Sequence, residues 1–310
     1  MKYMKYMRYL EIFDKRIPIR KYGCSFNNNK PAYMNPPRCN IFIQLTKNCN
    51  ANCSFCEYHS YDNEIFDVDK LGYIIKNIYQ KADIGKINFT GGEPTINMEI
   101  FDSVFHSIQN NIDKKRKPEI TLNTNGINLA QILPYTYFLD SIGLSRHHYN
   151  DDINKKIFRT NSIATKDEIF EFQSKVENKK LIQLRCNLIT GYIDSYEEII
   201  KYLNHAIDLK CSDCGFVTLM PLNDFCKNHQ VDFPSLMHES NDVIEIAKWS
   251  RLDENLTETL CQCSNYIYQN ENGEFCRFYR RHFCRCDLNE GQLVYDGKNL
   301  RYGFGGEIIF

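Results

Sequence analysis

The chain contains no long hydrophobic run. No stretch of its 310 residues approaches the roughly 20 apolar residues that a membrane-spanning helix requires. The first ten residues alternate Lys, Tyr and Met and lack the apolar segment of a signal peptide. We therefore expect a cytoplasmic protein with no membrane partner.

A charge imbalance is also missing. The 38 Lys and Arg residues are matched by 39 Asp and Glu residues, so no basic field would attract nucleic acid over a distance. We expect no nucleic-acid partner. The 43% hydrophobic and 25% charged content is that of an ordinary soluble globular protein, and the length fits one enzymatic domain with an extension, or two small domains.

Cysteine, in contrast, is abundant, with 14 residues. Three of them, Cys49, Cys53 and Cys56, have the spacing C-x3-C-x2-C. In a reducing compartment such residues are more often ligands or catalytic groups than disulfides. Three thiolates can hold three irons of a four-iron cluster and leave the fourth iron open, whereas structural zinc usually needs four closed ligands. Structural zinc and free core thiols are the competing interpretations.

The pattern after residue 40 alternates short apolar runs with longer amphipathic ones. It predicts six strands, at Asn40–Thr46, Lys86–Thr90, Glu119–Asn123, Phe138–Ser145, Leu181–Ile189 and Gly215–Pro221. Helices are predicted between them at Val68–Ala82, Met98–Asn111, Lys166–Asn178 and Ser195–Leu209. Repeated strand–helix units indicate a parallel sheet, with chemistry at the carboxyl ends of its strands.

The cysteine triplet after the first strand, together with Gly91-Gly92-Glu93-Pro94 after the second, resembles the radical S-adenosylmethionine (radical SAM) superfamily. The match includes Phe55, the aromatic residue before the third cysteine. The resemblance implies an α/β fold, a partial (β/α)6 TIM-like barrel. It also implies a [4Fe-4S] cluster whose open iron is chelated by SAM. One electron, from a donor such as flavodoxin or ferredoxin, would cleave SAM to a 5′-deoxyadenosyl radical that abstracts hydrogen from the substrate.

Further residues at the strand ends are implied to bind SAM. Gly91 and Gly92 would let the backbone approach the ligand, Glu93 would accept a hydrogen bond from the SAM amino group, and Pro94 would fix the turn. A plain turn or an apolar core contact is the alternative at several of the other positions, which are Asn123, Asn125, Ser145, Arg146, Asn187, Ile189 and Met220. Arg146 would pair with the SAM carboxylate or with an acidic substrate. The adjacent His147 and His148 are interpreted as exposed loop residues.

A second group of cysteines follows the barrel: Cys261, Cys263, Cys276, Cys284 and Cys286. A hairpin is predicted there, with strands at Tyr266–Tyr268 and Phe275–Phe278 around an Asn-Gly turn. It resembles the auxiliary-cluster hairpin of twitch and SPASM extensions, which implies a second [4Fe-4S] cluster on Cys261, Cys263, Cys276 and either Cys284 or Cys286. The spacing departs from the usual twitch, and tetrahedral zinc is the alternative.

We thus expect an N-terminal lead-in (1–39), a radical SAM partial barrel (40–235) and a C-terminal twitch-like region (236–310). Cys211 and Cys214, near the start of the sixth strand, are interpreted as buried structural residues. Cys226, in the loop after that strand, is a candidate hydrogen-atom donor to a substrate radical.

The leading functional hypothesis is a radical SAM enzyme acting on a ribosomally synthesised peptide, by oxidation, cross-linking or epimerisation, because twitch and SPASM extensions are common among peptide modifiers. A small molecule (a nucleotide, sugar or aminocyclitol) is the alternative substrate. The molybdenum-cofactor GTP cyclase is disfavoured, since that family ends in a di-glycine tail whereas Gly305-Gly306 is followed here by Glu-Ile-Ile-Phe. A non-catalytic zinc or iron–sulfur protein is the alternative from another class.

Overall fold

The computed structural model describes residues 7–20, 22–27, 30–33, 38–58, 65–176, 181–231, 236, 243–252, 258–281 and 291–310. Its strands are β1 Met7–Ile12, β2 Lys15–Arg20, β3 Tyr22–Asn27, β4 Lys30–Tyr33, β5 Arg38–Gln44, β6 Asp83–Thr90, β7 Glu119–Thr124, β8 Ser141–Ser145, β9 Ile182–Leu188, β10 Asp213–Thr218, β11 Val243–Leu252, β12 Glu258–Gln269, β13 Phe275–Arg281, β14 Gln292–Tyr295 and β15 Leu300–Tyr302. The α-helices are α1 Val68–Tyr79, α2 Met98–Asn111, α3 Asp151–Phe158, α4 Lys166–Lys175, α5 Tyr196–Asp208 and α6 Asp224–Asn228, and 3-10 turns occur at Lys114–Arg116 and Leu129–Tyr135. None of the described helices is long and apolar enough to cross a membrane.

The six strands β5 to β10 form a parallel sheet in which sequence order is also spatial order. This confirms the predicted α/β fold with consecutive strand–helix units. Helix α2 shows how such a unit forms: Asn97 caps its first turn through hydrogen bonds from the amides of Glu99 and Ile100. Its buried residues Phe101 and Phe105 then pack on Phe89 of β6.

The two faces of this sheet differ in polarity. Along β9, Ile182, Leu184, Cys186 and Leu188 are buried in the main core that the sheet shares with the helices. The alternate residues, Gln183, Arg185 and Asn187, are only partly buried. Successive strand residues point to opposite faces, so we name the helix-packed side the outer face and the other side the inner face. The inner face is therefore a polar surface.

Strands from the C-terminal region extend this sheet at both edges. Strand β14 pairs in parallel with β5, with Leu293 aligned with Ile41. At the other edge β13 pairs in parallel with β10, and β12 and β11 follow as antiparallel strands. The predicted hairpin is confirmed as the β12–β13 pair, in which Tyr266 is aligned with Phe278.

The N-terminal hairpin β1–β2 packs on the same core through Leu10, Ile12 and Ile17. The segment after β15 lies against it: Phe310 stacks on Phe13 with ring centroids 4.1 Å apart. Residues from both terminal segments thus contribute to one continuous hydrophobic core.

A buried tyrosine of β14, Tyr295, connects this strand to the start of helix α1. The Tyr295 hydroxyl donates to the carbonyls of Asp67 (2.7 Å) and Gly297 (3.1 Å), joining β14 to the residue that caps α1. We expect Tyr295→Phe to lower the free energy of unfolding by about 1 kcal/mol, because the hydrogen bonding of a buried hydroxyl is lost. The matched control Tyr137→Phe removes an exposed hydroxyl and should change stability little. Equal urea midpoints for the two variants would contradict this role.

Candidate active site

The cysteine triplet lies in a loop, residues 46–56, that follows β5 at the carboxyl edge of the sheet. The turn after β6 grips the start of this loop: the Gly92 amide donates to the Thr46 carbonyl and the Glu93 amide to the Asn48 carbonyl, both at 2.8 Å. A Cβ at Gly91 would overlap the Thr46 carbonyl oxygen, and one at Gly92 would overlap that of Asn48. Only glycine permits this approach, so the two glycines set the position of the cysteine loop.

Glu93 is fully buried, and its carboxylate already has four protein donors. Oε1 accepts from the Thr95 amide (3.0 Å), the Thr95 hydroxyl (2.6 Å) and the Thr124 hydroxyl (2.8 Å). Oε2 accepts from the Asn125 amide at 2.7 Å. Burial raises the pKa of this carboxyl, while the hydrogen bonds oppose the shift. These contacts show that the Glu93 carboxylate joins the ends of β6 and β7; the hydrogen bond that it is expected to accept from the SAM amino group stays a prediction. Pro94 is buried in the same turn.

Asn125 connects the end of β7 to the cysteine loop. Its side-chain amide donates to Asn50 Oδ1 at 2.7 Å and lies 3.8 Å from Cys49 Sγ. Asn123, two residues earlier, is exposed on the inner face, where its Oδ1 lies close to Gly143. Both predicted residues therefore lie at the carboxyl end of β7, beside the cysteine loop or on the inner face.

The other side of the loop is held by segments from the second half of the barrel. The Asn52 amide donates to the Phe158 carbonyl at 2.9 Å, at the end of α3. Asn223 Nδ2 donates to the Ser54 carbonyl at 3.0 Å, and Cys226 Sγ lies 3.5 Å from the Phe55 carbonyl. The Cys226 thiol is buried beside Ile189 and Leu219. Its assignment as a hydrogen-atom donor stays a prediction.

His147 packs edge-on against Phe55 at 5.0 Å between ring centroids. Burial lowers the pKa of His147 to about 3, so the ring is neutral, and its Nδ1 accepts from the Asn187 amide at 3.0 Å. His148 is also buried. Both histidines correct the interpretation as exposed loop residues, because Asn154 Oδ1 accepts from both their amides and folds the segment inward.

The three thiols fit the ligand set of an iron–sulfur cluster. Cys49 Sγ accepts from the Ala51 amide at 3.4 Å and Cys56 Sγ from the Tyr58 amide at 3.5 Å, and such hydrogen bonds stabilise ligand sulfur. The loop packs on an apolar patch of Ala51, Phe158 and Ile163 that would shield a cluster from water. Burial is the main reason that the pKa of all three thiols is raised, so cluster binding would release protons. Within the described ranges no group of three or more His, Cys, Asp or Glu side chains is already arranged around a metal position.

Arg146 does not face the site. Nε donates to His205 Nε2 at 2.9 Å, one terminal nitrogen to the Ala164 carbonyl at 3.0 Å, and the other to the Tyr149 carbonyl and the Asp151 carboxylate. The guanidinium is buried among these partners, which corrects its assignment to the SAM carboxylate. Tyr202 donates to the Arg146 carbonyl at 2.6 Å, so this residue fastens β8 to α3 and α5.

The remaining predicted SAM residues lie at neighbouring strand ends. Ser145 ends β8 in register with Arg185, and Asn187 lies near the end of β9 in register with Val217. Both are partly buried on the inner face. Ile189 is buried next to Cys226, whereas Met220 is exposed after β10. Their roles in binding SAM stay predictions.

The hairpin register separates Cys276 from the other C-terminal cysteines. Cys276 is aligned with Tyr268 near the hairpin tip, while Ser264, adjacent to Cys263, is aligned with Arg280. Four residues separate these two pairs, or about 13 Å along the strands, which is too far for both cysteines to bind one zinc ion or two irons of one four-iron cluster through metal–sulfur bonds of about 2.3 Å. For Cys261 and Cys263 only the backbone is described, and Cys284 and Cys286 lie outside the described residues.

Cys276 instead lies on the outer face, with its sulfur 3.9 Å from Cys214 Sγ. Both thiols are buried in the main hydrophobic core together with Cys211. The proposed ligand role of Cys276 is therefore corrected: its thiol packs at the amino-terminal end of β10, opposite the end that carries the cysteine loop. The buried positions predicted for Cys211 and Cys214 are confirmed.

Sequence reasoning missed several residues that shape this site, notably Asn154, Asn223 and helix α3. Asn223 caps α6 while also holding the cysteine loop, and an asparagine followed by an acidic residue gives only the capping signal. Helix α3 has an asparagine cap at Asn150 followed by two acidic residues, a start signal that was available in the sequence.

Comparison with known proteins agrees with this geometry. The radical SAM superfamily model matches residues 43–224, which include the cysteine loop, the Gly91–Pro94 turn and strands β6 to β10. The chain belongs to the radical SAM superfamily and is a radical SAM enzyme, for which a [4Fe-4S] cluster and SAM are the superfamily's cofactors.

The proteins similar to the chain include the following two relatives and one solved structure. A Methanocaldococcus jannaschii protein named "Probable GTP 3',8-cyclase" is 25% identical over 82% of this chain and 81% of its own length. A Thermoplasma volcanium protein of the same name is 29% identical over 49% of the chain and 45% of its own length, so the chain spans about half of that relative. Streptococcus suis SuiB bound to S-adenosylmethionine shares the fold, with a TM-score of 0.51 and 15% identity over 63% of this chain and 44% of that one. This likeness supports the partial-barrel architecture.

The close approach of the glycine turn gives a direct test. We expect Gly92→Ala to reduce the iron and sulfide bound after anaerobic reconstitution, because a Cβ would push the Asn48 carbonyl and displace the cysteine loop. Gly85→Ala, on the strand β6 that leads into this turn, meets only side chains, that of Asn40 at 3.1 Å and that of Arg38 at 3.7 Å, and is the matched control. Equal iron in both variants would show that the loop does not depend on this contact.

The hairpin register predicts which cysteines affect iron binding. We expect Cys276→Ala to retain the iron content of the wild type, because its thiol lies against Cys214 in the core. Cys53→Ala should lose the iron of the first cluster. Iron and acid-labile sulfide assays on reconstituted protein measure both. A loss of about four irons per chain in Cys276→Ala would show that Cys276 is a cluster ligand after all.

Proposed function

We propose that this enzyme abstracts a hydrogen atom from a small polar molecule of the nucleotide class. The observation that carries the proposal is the polar inner face beneath the cysteine loop, where Arg185 pairs with Asp213 at 2.9 Å and Lys86 with Glu119 at 3.2 Å. Side chains that can bind hydrogen-bonding groups lie between these pairs, among them Asn88, Thr121 and Asn123. A few placed polar groups suit a small ligand.

The similar proteins support this substrate class over a peptide. Both relatives carry the name GTP 3',8-cyclase, and the small-molecule alternative therefore takes precedence over the peptide hypothesis. GTP cyclisation itself is not part of the proposal. Gly305 and Gly306 lie in a turn between β15 and Ile308, and Ile308 forms a β-bridge with Arg301 of β15. The Gly306 amide contacts the Gly303 carbonyl within this turn.

The residues of this chain have separate tasks in such a reaction. Cys49, Cys53 and Cys56 would hold the cluster, which when bound supplies the electron that cleaves SAM. The Gly91–Pro94 turn and Asn125 keep the cysteine loop at the strand ends, and Ser145 and Asn187 border the space beside it. Phe55, His147 and Phe158 form an apolar wall that excludes water. A one-electron donor protein is required, and flavodoxin or ferredoxin is the proposed partner.

Release of 5′-deoxyadenosine tests the proposal. The anaerobically reconstituted and reduced protein is incubated with SAM and with either the four ribonucleoside triphosphates or a pool of synthetic peptides. We expect the nucleotides, and not the peptides, to raise 5′-deoxyadenosine formation several-fold above the uncoupled background. Cys53→Ala should give none with either. Stimulation by peptides alone would contradict the proposal and reinstate the peptide hypothesis.

A further inference from the structure

Two buried polar atoms on the inner face have no hydrogen-bond partner within the described residues. They are Asn88 Oδ1 and Thr121 Oγ1. The two residues are only 7% and 4% exposed, and they are aligned with each other on β6 and β7. Buried polar atoms are nearly always paired in native proteins, because an unpaired one carries a desolvation penalty. Two adjacent exceptions indicate a position where a ligand completes the bonding.

The alternation of the strands shows that both side chains face inward. Ile87 and Phe89 lie in the main core on the outer face, so Asn88 between them points to the inner face. On β7 the core residues Ile120 and Leu122 flank Thr121 in the same way. The two unpaired atoms therefore belong to the face on which the nucleotide-class substrate is proposed to bind.

The surroundings of this pair are neutral and partly aromatic. Phe42 of β5 is aligned with Asn88 on its other side, and its ring meets Phe304 edge-on with centroids 5.1 Å apart. Phe304 is 42% exposed, so its ring can swing outward without breaking a packed core. The nearest charged row, two residues earlier on the same strands, is the closed Lys86–Glu119 pair.

We propose that Asn88, Thr121 and Phe42 form a subsite for the heterocyclic base of a nucleoside or nucleotide, an inference that rests on the proposed function. The Asn88 amide oxygen accepts a hydrogen bond from a ring N–H or an exocyclic amino group. The Thr121 hydroxyl donates to a neighbouring ring nitrogen or carbonyl. The Phe42 ring packs against the plane of the base. The phosphates lie outside this subsite, because the nearest cation on these strands, Lys86, is already paired with Glu119.

Binding measurements on two apolar variants test the subsite. Asn88→Leu and Thr121→Val keep the approximate side-chain volume and remove the polar atoms. The matched control is Thr136→Val, whose hydroxyl donates locally to the Leu133 carbonyl at 2.8 Å. Dissociation constants for the four ribonucleosides, their triphosphates and SAM are measured by anaerobic calorimetry on the reconstituted protein. The Tm of the ligand-free protein is recorded for every variant.

We expect each variant to raise the Kd for the preferred nucleoside by about tenfold, the equivalent of one lost hydrogen bond. The Kd of its triphosphate should rise by the same factor, since the phosphates make no contact there. The Kd for SAM should not change, and the Tm should stay the same or increase, because each variant removes an unpaired buried atom. Thr136→Val should match the wild type in every ligand measurement.

Each of the following outcomes would overturn the subsite. An unchanged nucleoside Kd with a lowered Tm would assign the two side chains to ordered water and stability. A higher Kd for the triphosphate with an unchanged Kd for the nucleoside would place the phosphates at this position. A higher Kd for SAM would place the cosubstrate there. If the wild type binds nucleotides but the variants bind them equally well, only the subsite fails. If the wild type binds no nucleoside or triphosphate, the proposed function fails with it.

Discussion

The site depends on the contact between the turn after β6 and the chain that leaves β5. Two hydrogen bonds, from Gly92 to Thr46 and from Glu93 to Asn48, fix where the cysteine loop begins, and they form only because two successive residues lack a Cβ. The Glu93 carboxylate then links this turn to the end of β7. It accepts hydrogen bonds from Thr95 in the turn and from Thr124 and Asn125 at the end of β7. The residue types of the Gly-Gly-Glu-Pro segment are thus explained by backbone packing in the protein itself, before any ligand is considered.

The opposite border of the loop is held by neutral and apolar groups. His147 is uncharged in the folded protein because burial disfavours its cation, and it lies between Phe55 and Phe158. The loop is consequently polar where it meets β6 and β7 and apolar where it meets α3. Such an arrangement leaves the sulfurs in a region from which water is largely excluded, next to the hydrogen-bonding inner face.

Local patterns were enough to predict the order of the barrel elements. The six parallel strands, helix α2 and the β12–β13 hairpin follow from hydrophobic periodicity and turn residues. The partners of Arg146 were beyond this reasoning, because Asp151 and His205 come from helices whose packing is a long-range property. The same holds for Glu93: its acidic character is visible in the sequence, but the four donors that surround it come together only in the folded chain.

The position of Cys276 shows that cysteine spacing alone does not predict which thiols meet in a hairpin. Asn270 accepts from the amides of Asn272 and Glu274, so the loop is longer than a two-residue Asn-Gly turn and closes between Gln269 and Phe275. The strands then align Cys276 with Tyr268, whereas a two-residue turn at Asn272 and Gly273 would align it with Gln269; neither register places it opposite a cysteine. Register depends on turn length, and the spacing of cysteines alone did not determine it.

The pairing of β14 with β5 joins residues that are made at very different times. Asn40 is aligned with Gln292, so the edge of β5 that faces β14 stays unpaired until β14 has left the ribosome. An open strand edge is prone to pair with other chains, and distant pairings form slowly. During synthesis, the open edge of the barrel's first strand is therefore exposed to pairing with other chains until β14 covers it.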